Sequence, residues 1–90
     1  LRVKGESMIN AGIFDGDIAI LRPGPDFSDG DIAAVVLEEE ATLKRVFKTK
    51  RGLRLQAENP ASPDRLIASE QMRQSFRLAG VLVGTIRRFP

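Results

Sequence analysis

Short apolar runs, cut apart by Gly- and Asp-based turns, set the tightest limit on how this chain can fold. Asp15-Gly16, Asp29-Gly30 and Lys50-Arg51-Gly52 stand between segments that are too short for ordinary helices. Ile32-Ala33-Ala34-Val35-Val36-Leu37 is apolar without alternation, the pattern of a strand buried on both faces. The stretch from Ala41 to Thr49 alternates instead. Ala41, Leu43, Arg45 and Phe47 fall on one face, and Thr42, Lys44, Val46 and Lys48 on the other. Ile18 to Leu21, Leu53 with Leu55, and Leu66-Ile67 read as further strands, and Arg2 to Lys4 as a short entering strand. Ser7 to Gly12 reads as one helical turn with Ser7 at its N-cap. Glu38-Glu39-Glu40 reads as an exposed turn and Glu70 to Gln74 as a connector. Phe76 to Arg88 reads as a last strand, in which Gly80 and Gly84 mark bulges or close backbone approach. Long periodic helices are missing, so the expected class is mostly β with short helical turns.

Ninety residues make one domain, 1–90, and an apolar share of 42% can fill a core. Composition narrows the chemistry sharply. There is no Cys, which excludes disulfides, thiolate metal sites and cysteine catalysis. There is no His, which excludes Ser-His-Asp triads and His-ligated metals. No cofactor or metal motif is present, and no apolar run approaches the roughly 20 residues needed to span a bilayer. Charge is uneven: residues 1–40 hold three Lys/Arg and nine Asp/Glu, and residues 41–90 hold eleven and three. The basic residues are scattered through strands with no Trp or Tyr among them, which is not the pattern of a nucleic-acid platform.

If such a chain performs nucleophilic catalysis, its base is a Lys, a carboxylate or a terminal amine. The candidates are Ser7, in Lys4-Gly5-Glu6-Ser7-Met8, and Lys44, in Glu40-Ala41-Thr42-Leu43-Lys44-Arg45. Each is ordinary alone, since a Ser after Gly usually caps a turn and a strand Lys is usually solvated. Catalysis requires a neutral Lys44 amine, which burial favours. Thr42 shares its face and can orient the amine by hydrogen bonding. The backbone N–H groups of Glu6 and Ser7 are the candidate oxyanion donors.

Four ordered motifs raise this pairing above chance. The first is Lys4-Gly5-Glu6-Ser7-Met8 with Ala11-Gly12-Ile13-x-Asp15-Gly16-Asp17. Gly30 to Val35 and Glu40 to Arg45 follow, and then Glu58-Asn59-Pro60 with Gln74-Ser75-Phe76-x-Leu78-x-Gly80-x-x-Val83-Gly84-x-Ile86-Arg87. Together they resemble the self-cleaving LexA-like repressors and the related UmuD proteins, with the last group closer to LexA. The resemblance covers nearly the whole chain. It implies the signal-peptidase-like, mostly β fold of the LexA carboxy-terminal domain, with Ser7 as nucleophile, Lys44 as general base and Thr42 in support.

The resemblance also implies a biology: autocatalytic cleavage of an Ala-Gly bond in a loop of the same polypeptide, stimulated by a RecA filament during the SOS response to DNA damage. It further implies a homodimer formed around Leu82 to Arg88, and a cytoplasmic protein of bacterial or phage origin with no membrane role. Operator DNA would be bound only through an amino-terminal domain. That domain and the cleavage loop are expected to lie outside these residues. Glu6 departs from the family, where this position is often apolar; its carboxylate either alters the cleft or holds a Lys ammonium. Three other readings compete: a dimerisation and partner-docking module with marginal catalysis, a UmuD-like polymerase subunit, and a signal-peptidase-type processing enzyme.

Overall fold

The computed structural model describes residues 1–89. Its chain forms β1 (Ile18–Pro23), β2 (Ile32–Leu37), β3 (Glu40–Thr49), β4 (Gly52–Gln56), β5 (Arg65–Ala68), a short helix α1 (Ser69–Gln74) and β6 (Phe76–Ile86). The strands make one sheet in the order β1-β6-β2-β3-β4-β5. Every neighbouring pair is antiparallel, so the expected mostly β class is what the chain adopts. No helix among the described residues is long and apolar enough to cross a membrane.

The unbroken apolar run becomes β2, which lies inside the sheet between β6 and β3. Its two faces serve two cores. Ala33 and Val35 join Val46, Leu53, Leu55, Ile67 and Leu78 on one side. Ala34 packs on the other with Val3, Met8, Ile13, Ala19 and Leu43. The alternation read along β3 holds: Leu43 enters the second cluster and Val46 the first. A strand wedged between two apolar layers gains burial from both faces, which matters in a domain this small.

Several local expectations shift. Glu40 belongs to β3 rather than to the turn, leaving Glu38 and Glu39 as a two-residue hairpin connection at φ 52° and 68°. Two successive positive φ values are the mark of the I′ turns whose twist matches that of the flanking strands. Arg2 to Lys4 contributes only a single bridge, Arg2 to Ile18. The connector before β6 is helical, and β6 ends at Ile86 rather than Arg88. Gly80 fulfils the close-approach reading, because the paired backbone of β1 comes close beside it: an added Cβ would lie 2.6 Å from the Arg22 carbonyl oxygen. Gly84 fulfils the bulge reading instead: nothing lies within 4 Å of that position, but the β1 ladder slips beside it, from Ile20 opposite Gly84 to Leu21 opposite Leu82. The β6 ladders slip register twice, between Ile20 and Leu21 opposite it on β1 and between Ala34 and Val35 on β2.

Candidate active site

Ser7 sits in a turn that precedes a 3-10 helix, Ile9–Ala11. Its expected role as N-cap is not what is found. Met8 holds the N-cap position, and no side chain caps the helix. The helix is too short and starts too late for the Ser7 hydroxyl to reach its first free N–H groups. The hydroxyl therefore makes no hydrogen bond among the described residues and is not spent on local structure.

Two sets of contacts hold the turn. On one side, Gly5 N–H donates to Asp15 Oδ1 at 2.7 Å. Val3 N–H donates to the Asp17 carbonyl and Gly16 N–H to the Val3 carbonyl, both at 2.8 Å. Asp17, 1% exposed, is the buried acid of this region. It accepts from the Phe14 N–H at 2.9 Å and from Arg87 Nε and Nη2, each at 2.8 Å. Those bonds, with the Arg87 charge, hold its carboxyl down at about 2 against the penalty of burial. Arg87 also donates to the Gly12 carbonyl and stacks on Phe14, so the residue just after β6 ties down the loop following Ser7. On the other side, the loop after β4 grips the turn. Asn10 N–H donates to the Glu58 carbonyl, and Asn59 Nδ2 donates to the Glu6 carbonyl, both at 2.8 Å. Arg45 Nε binds the Glu58 carboxylate, which fastens that loop to β3 beside Lys44.

Lys44 is half-buried on β3, and burial pushes its amine below the ordinary Lys range. The reason lies in sheet pairing. β3 pairs with β2 from Glu40 to Arg45, but with β4 only from Arg45 to Thr49. On its β4 side the first half of β3 is therefore an open edge. Ladder register carried one step past Gln56 sets Ala57 beside Lys44, and the next two residues are those that hold the Ser7 turn.

Two clefts border this open edge. One, of about 510 Å³, is lined by Leu1 to Lys4, Ser7 and Met8 on one wall and by Glu39 to Leu43 on the other. The second, of about 310 Å³, is lined by Thr42 and Lys44 with Val35, Leu55 and Arg65 among others. Thr42 lines both and so stands between the serine and the lysine. Ser7 Oγ and Lys44 Nζ share no hydrogen bond among the described residues. Glu6 is exposed and enters no ion pair there, so its carboxylate does not hold a Lys ammonium in this arrangement. Its N–H and that of Ser7 make no hydrogen bond among the described residues. No group of metal-ligating side chains is found among the described residues. Reading the sequence for chemistry overlooked the fastening role of Glu58 and Asn59; the Asn59-Pro60 pair, a turn signal, was the visible clue.

Comparison with known proteins identifies the family. The Peptidase S24-like family model matches residues 1–83. A LexA repressor of Geobacter sp. (strain M21) is 44% identical over 88 residues, which cover 98% of this chain and 43% of that protein. A LexA repressor of Clostridium kluyveri is 40% identical over 89 residues, 99% of this chain and 41% of that protein. The chain thus spans less than half the length of these relatives. It belongs to the Peptidase S24-like family, as a LexA-like carboxy-terminal peptidase domain.

Proposed function

We propose that this chain is the serine endopeptidase of a LexA-like transcriptional repressor, and that it cuts a loop of its own polypeptide with a Ser7-Lys44 dyad. What supports the reading is that Ser7, whose hydroxyl makes no hydrogen bond among the described residues, and the half-buried Lys44 line two neighbouring clefts that share Thr42.

The substrate loop docks as an extended strand between residues 1–4 and the first half of β3. Val46 directs both its N–H and its carbonyl toward β2, where they bond Asp31 and Gly30. By alternation, the main-chain groups of Ala41 and Leu43 face the open edge and are free to pair with that strand. Docking expels water, which further favours the neutral Lys44 amine. Lys44 takes the Ser7 proton as Oγ attacks the scissile carbonyl. The N–H groups of Ser7 and Glu6 bind the oxyanion. On collapse the C–N bond breaks, the new amine leaves with the proton held by Lys44, and Ser7 carries the acyl group. Lys44 then activates the water that releases it. The Thr42 hydroxyl orients the amine. Bringing Ser7 Oγ and Lys44 Nζ into direct hydrogen bonding belongs to the docked state, since such contacts tighten when the substrate arrives.

In this reading a RecA filament favours the docked state, and cleavage relieves repression in the bacterial cytoplasm during the SOS response. Operator binding and the cleaved loop belong to parts of the repressor outside these residues. The chain also forms a homodimer. Ile20, Val83 and Ile86 leave an exposed apolar surface on the β1-β6 pair, where the resemblance sets the dimer contact.

Self-cleavage of the repressor containing this chain tests the dyad. Ser7→Ala and Lys44→Ala each abolish it, and the wild-type rate climbs with pH through the Lys44 titration. Survival of cleavage in either variant, or a flat pH profile, sinks the reading.

A further inference from the structure

We propose that Asn59 is a positioning residue for the acyl-transfer step, holding the Glu6–Ser7 peptide unit so that the Ser7 N–H points into the oxyanion site. This deepens the reading above and rests on it.

The argument begins with the planarity of the peptide bond. In a trans peptide the carbonyl and the N–H point in opposite directions, so fixing one fixes the other. The peptide whose N–H is the Ser7 donor has the Glu6 carbonyl at its other end. That carbonyl accepts a hydrogen bond from Asn59 Nδ2 at 2.8 Å, across a sequence separation of 53 residues. A second, local bond from Ile9 N–H is longer, at 3.3 Å. The long-range contact therefore dominates the setting of the peptide plane.

Asn59 is itself held. Its Oδ1 accepts from the Ala61 N–H at 2.9 Å, and its carbonyl from the Ser62 N–H at 3.0 Å. With Oδ1 committed to a donor, the amide nitrogen must be the end that faces Glu6, so the contact has one chemical sense only. Pro60 stiffens the turn in which this happens. Just before it, the Glu58 carboxylate is bound by Arg45, next to Lys44 on β3, and the Glu58 carbonyl by Asn10. One loop thus spans the strand of the base and the turn of the nucleophile. A donor on the carbonyl also polarises the peptide, which makes its N–H a stronger donor to a developing oxyanion.

Asn59→Asp is the discriminating substitution. It keeps the acceptor for Ala61 but replaces the donor to Glu6 with a carboxylate that repels the carbonyl. The readout is covalent labelling of Ser7 by a fluorophosphonate probe, whose phosphoryl oxygen occupies the oxyanion site. Intact mass follows the reaction, with the maximal labelling rate separated from probe affinity. Wild-type chain labels at Ser7, and Ser7→Ala does not. Asn59→Asp and Asn59→Ala are expected to lower the maximal rate about tenfold to a hundredfold, less than outright loss of a donor. Probe affinity and the pH profile set by Lys44 stay unchanged, and circular dichroism confirms the fold. Wild-type labelling rates in a folded Asn59→Asp chain would overturn the role of Asn59 while leaving Ser7 as nucleophile. If the variants do not fold, the amide resonance of Ser7 in wild type decides. A Glu6 carbonyl polarised by Asn59 places the Ser7 amide nitrogen downfield although its N–H stays free, and a random-coil position overturns the proposal. Failure of wild-type chain to label at Ser7 would remove the nucleophile assignment and this inference with it.

Discussion

Gly80 and Gly84 stand on the same strand, four residues apart, yet they should respond oppositely to one methyl group. At Gly80 the new Cβ of an alanine meets the Arg22 carbonyl oxygen at 2.6 Å, and the Arg22 carbonyl carbon and Pro23 Cα at 3.2 Å each. All three are backbone atoms of β1, so no side-chain rotation relieves them. Restoring ordinary contact means pushing β1 off β6 by close to an ångström, along a ladder that pairs Pro23 with Gly80. Overpacking against backbone of this kind costs about 1–3 kcal/mol. Set against a total of roughly 5–10 kcal/mol for a small domain, this is a large share. For a chain near this length it lowers Tm by roughly 4–24 °C. At Gly84 nothing lies within 4 Å, and the backbone is not in the left-handed region. Alanine there restricts the unfolded chain without a native clash, a change of about 0 to +1 kcal/mol in favour of folding. Urea titrations of Gly80→Ala and Gly84→Ala, with amide exchange, separate the two. Loss of stability in Gly80→Ala concentrated in the amides of β1 and the facing half of β6 is the expected pattern. Equal midpoints for the two variants, or a costlier Gly84→Ala, would refute the packing argument.

Other consequences can be checked beside it. The depressed Asp17 carboxyl makes stability fall on acidification: the contribution is complete above the unfolded value near 3.8 and drains away as pH drops toward about 2. Arg87→Ala should flatten that part of the pH-stability curve and loosen the loop after Ser7, seen as faster exchange of the Phe14 N–H. In the hairpin tip, Glu38 and Glu39 both hold positive φ, which non-glycine residues resist. Glu38→Asn with Glu39→Gly supplies I′ turn residues and should raise stability by about 1 kcal/mol in a denaturant titration. Lys44→Met removes a half-buried ammonium whose folded pKa is lowered; it should abolish cleavage while shifting the urea midpoint upward. For the wild type, the same lowered pKa means that folding gains stability as pH rises through the Lys44 titration toward the unfolded Lys value.

Much of the fold lies open in the sequence because it follows local rules. Ile32 to Leu37 reads as doubly buried, and the two cores on either side of β2 are why. β3 alternates because its two faces meet different layers. What escapes is set by distance along the chain. The Ser7 cap reading fails because capping depends on where the helix starts, and Met8 packing in the second core moves that start to Ile9. Glu40 reads as turn by composition, but pairing with Leu37 draws it into the strand. For the site, the absence of His and Cys narrowed the possible bases, and the four ordered motifs singled out Ser7 and Lys44 as candidates. The open edge of β3 was not legible, because it arises from β4 being shorter than the strand it pairs with. Nor was the Asn59 contact with Glu6, which joins residues 53 positions apart.

These hidden features are linked by one geometric fact. A strand of ten residues, β3, is paired by a strand of only five, β4, so half of one edge has no neighbour. An unpaired edge is ordinarily a liability, and a protein protects it or uses it. Here the loop that follows the short strand turns away and binds the Ser7 turn through Glu58 and Asn59, instead of continuing the sheet. That turn and residues 1–4 then face the open edge across a cleft of about 510 Å³. Stopping β4 at Gln56 thus does two things at once: it leaves backbone donors and acceptors of β3 unpaired, and it lets the following loop hold the Ser7 turn beside that edge, as the proposed mechanism needs. Extending β4 by substitutions that favour pairing at Ala57 would close the edge and strengthen the sheet. The same change would draw Asn59 away from Glu6. A more stable sheet with a disabled site is the expected result, measurable as a higher unfolding midpoint with reduced probe labelling of Ser7.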